Sequence, residues 1–145
     1  MKDARSRCLG VDLGDVRIGL ALSDPLGVMA QPFAVLDSEG SRQALDAIAR
    51  AIASEEVTTV IVGLPLLLSG VEGERARSAR EFARRLARRC PGTRVELWDE
   101  RLTSVQAERA MVGAKVRRRA RRQAIDAVAA ALILQSWLDA RSGTR

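Results

Sequence analysis

Residues 8–24 read CLGVDLGDVRIGLALSD. A short apolar run ends in Asp12-Leu13-Gly14, and a second run, RIGLALSD, follows the Gly14-Asp15 connection. Two β-prone runs joined in this way predict an antiparallel hairpin over residues 8–23. QPFAVLD, opened by Pro32 and closed by Asp37 and Gly40, adds a third strand. SRQALDAIARAIAS then places Leu45, Ile48, Ala49 and Ile52 on one helical face, with Ser41 available as the N-cap.

Further along, TTVIVGLPLLL is β-branched and almost wholly apolar, the pattern of a strand covered on both faces in a parallel sheet. A Gly-rich loop, SGVEGE, leads to a helix with Ala79, Phe82, Ala83, Leu86 and Cys90 along one stripe and arginines on the rest; Pro91-Gly92 stops it. RVELWDE is a fifth strand. TSVQAERAMV opens with a Thr103…Gln106 capping box and predicts a short helix. A basic segment then runs into a last helix over roughly 123 to 141. The expected fold is therefore α/β. Strands 1–3 form an antiparallel meander and strands 4 and 5 are parallel, in one five-stranded mixed sheet with helices on both faces. With 145 residues, no internal repeat and no Pro-, Gly- or Ser-rich linker, residues 1–145 read as one domain.

Composition narrows the chemistry. The chain has no histidine, which removes histidine general bases, histidine triads and H-E-x-x-H zinc sites. It has no tyrosine and only two Phe and two Trp, a poor supply for recognition by base stacking. Cys8 and Cys90 lack metal-binding or disulfide-framework spacing. No apolar run is long enough to span a bilayer and the first ten residues lack a signal-peptide core, so the cytoplasm is the expected compartment. The net charge of +6 is uneven: Met1–Glu100 carries 14 basic and 15 acidic residues, Arg101–Arg145 carries 10 and 3. A basic block centred on KVRRRARR points to a polyanionic partner, most commonly nucleic acid, or simply to a solvated face.

Three carboxylates stand in places where a purely structural acid would be awkward. Asp12 closes an apolar strand on the side shared with Gly10, or else caps a turn. Asp99 and Glu100 end the fifth strand and point to opposite faces, so that one of them can meet Asp12 if the first and fifth strands run parallel. Asp126 lies in RRQAIDAVAAALIL, ahead of an unbroken aliphatic stretch. A helix N-terminus favours an acid by only about 0.3–1 kcal/mol, less than the cost of burying its charge. A metal ion, or pairing with the arginines at 117, 118, 119, 121 and 122, accounts for it better. Phosphodiester hydrolysis without histidine suits two divalent ions about 4 Å apart, held by hard oxygen ligands.

GVDLGDVRIGLALSD, VGLPLLLSGVEGERA, DERLTS and AIDAVAAALILQSWL resemble, in that order, the motifs of the YqgF family, pre-16S rRNA nucleases also described as Holliday-junction-resolvase-like. The match spans about Leu9 to Asp139. The resemblance implies an RNase H-like fold and metal-dependent endonucleolytic maturation of the 5′ end of 16S rRNA on pre-ribosomal particles. It places the family's carboxylates on Asp12, Glu100 and Asp126, with Mg²⁺ or Mn²⁺ as cofactor, most simply two ions. Arg17 and Arg101 also match, and would hold phosphate. Lys115, Arg117, Arg118, Arg119, Arg121 and Arg122 would hold the nucleic-acid backbone. One departure stands out: Leu67-Leu68-Ser69-Gly70 replaces the family's Asn-Met-Asp-Gly, so this apolar loop is expected to pack against a partner or a second subunit rather than contact substrate.

Three other readings compete. A Holliday-junction resolvase would need a symmetric homodimer. An actin-like nucleotide-binding enzyme would need a second lobe. A non-catalytic nucleic-acid-binding or transcription-associated factor would use the basic segment alone.

Overall fold

The computed structural model describes residues 6–14, 16–37, 41–102 and 118–142. Strands β1 (Arg7–Leu13), β2 (Arg17–Ser23) and β3 (Ala30–Asp37) form the expected antiparallel meander. Helix α1 (Ser41–Ser54) crosses to β4 (Val57–Leu64), and α2 (Glu74–Arg89) crosses to β5 (Arg94–Asp99), after which Glu100–Leu102 makes one 3-10 turn. Helix α3 (Arg118–Ser142) closes the described chain. The strand order is β3-β2-β1-β4-β5, with β1, β4 and β5 mutually parallel.

Two apolar layers sandwich the sheet. Leu9, Val11, Ile18, Leu20, Val60, Val62 and Leu64 pack beneath α1 and α2, which contribute Leu45, Ile48, Ile52, Ala76, Ala79, Phe82, Ala83 and Leu86. On the other face Cys8, Ala21 and Ile61 meet Ala129, Ala130, Ile133, Leu134, Trp137 and Leu138 of α3. Removing each large aliphatic side chain from water contributes about 1.5–3 kcal/mol, so both helical layers are fixed by burial rather than by helix propensity. Polar contacts set the lie of α3: Trp98 Nε1 donates to Ser136 Oγ at 3.0 Å, and Gln135 accepts from Ala30 N at 2.8 Å while donating to Val28 O at 3.0 Å.

Element ends differ from the sequence reading in three places. Strand β4 stops at Leu64, because Pro65 has no N–H to donate to the sheet. Leu66–Leu68 instead enter a turn, with Leu67 N donating to Val71 O at 3.0 Å and Gly70 N to Leu67 O at 2.8 Å. Strand β5 yields to the 3-10 turn at Glu100. Helix α3 begins at Arg118 rather than near residue 123, since arginine and alanine favour helix even without an apolar stripe. The short helix expected over 103–112, Asp15, and the Ser41 cap side chain lie outside the described residues.

Candidate active site

Because β1 and β5 flank β4 in parallel, their carboxyl ends emerge at the same edge of the sheet. Asp12, one residue from the end of β1, is only 2% exposed. Its neighbours Val11 and Leu13 face the α1–α2 layer, so Asp12 faces α3. Cross-strand, it pairs with Gly19 of β2. One step past the Val11–Val62 pair, the parallel register sets Gly63 of β4 on its other side.

Those two glycines make room for the other acids. A Cβ at Gly19 would collide with the backbone carbonyl of Asp126, so the chain of α3 rests directly on β2 there. A Cβ at Gly63 would come within 2.7 Å of Glu100 Oε2 and of Ile133 Cδ1. Asp12 thus lies between a glycine covered by Asp126 and a glycine covered by the Glu100 carboxylate. Glycine inside a strand commonly marks such a close approach. This signal was present in RIGLAL and IVGLP but passed unused in the sequence reading.

Asp126 needs a correction. It sits in the third turn of α3, too far from the helix start for the macrodipole to matter. Its side chain is 18% exposed and accepts from Arg17 Nε at 2.9 Å. Among the described residues, the arginine that pairs with it comes from β2; the side chains of the basic block before it lie outside the description. The depth that the aliphatic neighbourhood suggested for Asp126 belongs to Asp12. A carboxylate as enclosed as Asp12 stays ionised only with hydrogen bonds or a cation to compensate its lost hydration.

The neighbours of Glu100 divide as strand alternation requires. Val95 and Leu97 face the α1–α2 layer and Trp98 faces α3; Asp99 follows the first pair and Glu100 the second. Asp99 is held by Arg101, whose backbone N donates to Oδ1 at 2.9 Å and whose guanidinium donates at 2.8 Å to Oδ2. These hydrogen bonds hold the Asp99 carboxyl below its ordinary pKa and raise that of Arg101. Arg101 Nη1 also reaches Leu68 O at 3.5 Å, tying β5 to the loop after β4. Arg17 and Arg101, expected to meet phosphate, therefore each hold an acid of this chain. In that loop Leu67, Leu68 and Val71 are exposed, Leu68 almost completely. Lys115 and Arg117 lie outside the described residues. Arg118, Arg119, Arg121 and Arg122 fall in the first turns of α3, with their side chains outside the description.

A family model described as RuvX, Holliday junction resolvase, matches residues 6–140. The chain belongs to the RuvX family. Among relatives of this RuvX chain, one from Myxococcus xanthus is 48% identical over 134 residues, covering 92% of this chain and 88% of its own. Another, from Anaeromyxobacter dehalogenans, is 48% identical over 136 residues, covering 94% and 98%. Both carry the name "Putative pre-16S rRNA nuclease". In structure, the chain resembles Thermus thermophilus RuvC in complex with a Holliday junction substrate, with a TM-score of 0.60, 17% identity and coverage of 96% and 97%. It also resembles the Fowlpox virus resolvase bound to Holliday junction DNA, with a TM-score of 0.56, 12% identity and coverage of 93% and 98%. At such identities the likeness establishes the fold, which is RNase H-like.

Asp12, Glu100 and Asp126 offer only oxygen donors, the type that suits a hard divalent cation. Among the described residues no three Asp, Glu or Cys side chains are gathered closely enough to hold a metal ion. Asp126, which borders Asp12 through Gly19, is turned to Arg17. Also among the described residues, no helix is long and apolar enough to cross a membrane.

Proposed function

We propose that this RuvX chain is a metal-dependent endonuclease that hydrolyses phosphodiester bonds in 5′-end maturation of pre-16S rRNA, in the cytoplasm and on a pre-ribosomal particle. The observation that carries the reading is Asp12, a carboxylate 2% exposed at the end of β1, flanked through Gly19 and Gly63 by Asp126 and Glu100. The names of relatives 48% identical over nearly the whole chain support the substrate.

Asp12, Glu100 and Asp126 would hold Mg²⁺ or Mn²⁺, most simply as two ions. Bound there, such an ion would supply a water of lowered pKa and charge relief at the departing oxygen. The chain's own part is to orient these carboxylates: Asp12 by its place between paired strands, Glu100 by its seat over Gly63, and Asp126 by the contact of α3 with Gly19. Arg17 lies beside this group and, once released from Asp126, can grip a phosphate. The basic residues Lys115, Arg117, Arg118, Arg119, Arg121 and Arg122 would hold the backbone without reading sequence.

Cleavage of a 5′-extended 16S precursor in Mn²⁺ tests this. Asp126→Asn should abolish product while RNA binding persists; equal cleavage by the variant and the parent overturns the assignment. The family's description as a Holliday junction resolvase supports a second reading, in which a homodimer cuts four-way DNA. Junction cleavage by a sedimenting dimer, with no RNA product, would favour that reading.

A further inference from the structure

On the face of the sheet away from α3, helices α1 and α2 border an open groove of about 530 Å³. It is lined by Arg42, Leu45, Asp46, Arg85, Arg88 and Arg89. Leu45, 6% exposed, belongs to the core below. Among the lining side chains, four guanidinium groups meet a single carboxylate. Asp46 Oδ1 lies 3.3 Å from Arg89 Nη2, and Arg88 reaches Glu81 only at 4.0 Å.

Charge counted along the chain hides this patch, because residues 1–100 are net −1. Folding concentrates it. Helix α2 carries seven arginines, two glutamates and no lysine, with its apolar stripe of Ala76, Ala79, Phe82, Ala83 and Leu86 turned to the sheet. Like charges at i,i+3 and i,i+4, as in Arg85, Arg88 and Arg89, each oppose helix formation by a few tenths of a kcal/mol. They lie outside the apolar stripe that packs on the sheet. Arginine, unlike lysine, offers a planar fork that grips phosphate bidentately, and a concave arrangement lets several forks reach one strand.

We propose that this groove is a second nucleic-acid contact, taking the phosphodiester backbone of a folded RNA at a point remote from the scissile bond. The inference rests on the nuclease reading. Asp12, Glu100 and the backbone of Asp126 lie on the α3 side of the sheet, so one short segment cannot touch both places. A short duplex seated on the α3 side leaves the groove empty, whereas an RNA long enough to pass around the sheet engages both. Its mark is a contribution to binding that depends on substrate length.

The test is binding without metal, so that cleavage plays no part. The salt dependence of binding is measured for a long structured 16S precursor fragment and for a duplex one helical turn long. Arg42→Gln/Arg85→Gln/Arg88→Gln leaves Arg89 with Asp46. For the long RNA it should flatten the log–log salt slope by about 2, since each lost phosphate contact removes roughly 0.7–0.9. The short duplex should keep its slope, and the corresponding triple lysine variant should keep both. An unchanged slope on the long RNA, or an equal fall on both, overturns the proposal. Failure of the parent to cleave in Mn²⁺ would refute the nuclease reading and leave these slopes untouched.

Discussion

Against α1 and α2 the sheet presents Leu9, Val11, Leu20, Val60 and Val62; against α3 it presents Gly10, Asp12, Gly19, Ile61 and Gly63. The same strands supply both sets, residue by alternate residue. On the first face side chains fill the space between layers, and helix position is a matter of volume. On the second, three positions have no side chain, and α3 and Glu100 come down onto the backbone itself. A Cβ at Gly10 would lie 2.8 Å from both Ala130 O and Leu134 Cβ. The filled face confers stability, while the stripped face seats the Asp126 backbone and the Glu100 side chain on the two glycines beside Asp12.

The largest expected effect separates the two faces by readout. Asp12→Asn keeps the shape of the side chain and removes its charge, so cleavage should fall by about a thousandfold or more, about 4 kcal/mol of barrier. Its melting temperature should hold or rise, because an enclosed charge is costly to bury. Val62→Ala on the opposite face should do the reverse, losing about 2 kcal/mol of stability with kcat unchanged for the folded protein. Urea melts run beside cleavage assays check both. A stable, fully active Asp12→Asn protein would dissolve the distinction.

Within the stripped face, the next effect is graded by what each glycine meets. Gly19→Ala drives a methyl into the Asp126 carbonyl, part of a helix that cannot yield locally, and should cost about 3 kcal/mol with most of the activity. Gly63→Ala meets the tips of Glu100 and Ile133, which can turn aside, and should cost about 1 kcal/mol. Activity should still drop, since Glu100 is the group displaced. Equal stabilities for the two variants would mean that α3 is not seated on β2 as described.

Much of this architecture was legible in the sequence because its signals are local. Two short apolar runs, CLGVDLG and RIGLALSD, joined at Gly14-Asp15 gave the hairpin, and periodicity in SRQALDAIARAIAS gave α1 with the bounds observed, Ser41–Ser54. What escaped depends on contacts between distant segments. Asp126 looked deeply buried because its chain neighbours are aliphatic, yet successive helical residues point in different directions, and its own side chain lies at the partly open rim beside Arg17. Asp12 stands out in the sequence as a strand-end acid, with a turn cap as the alternative, but its enclosure depends on the arrival of α3, more than a hundred residues later. The start of α3 was missed because Arg118, Ala120 and Arg122 favour helix without marking a face.

The smallest effect concerns the ion pair that now spans the stripped face. Arg17 Nε and Asp126 Oδ2 are 2.9 Å apart, with 24% and 18% of the side chains exposed. A cation binding at Asp126 must compete with this guanidinium and tolerate its positive charge nearby. Arg17→Met keeps the apolar stem and removes both obstacles, so direct Mn²⁺ titration should show binding tightened about three- to tenfold, or about 1 kcal/mol, as expected for a partly exposed pair. RNA affinity should move the other way, since the guanidinium proposed to grip phosphate is lost. Weaker Mn²⁺ binding in the variant would mean that Arg17 orients Asp126 for the metal instead of competing with it. The stripped face would then be set for its cation before any side chain moved.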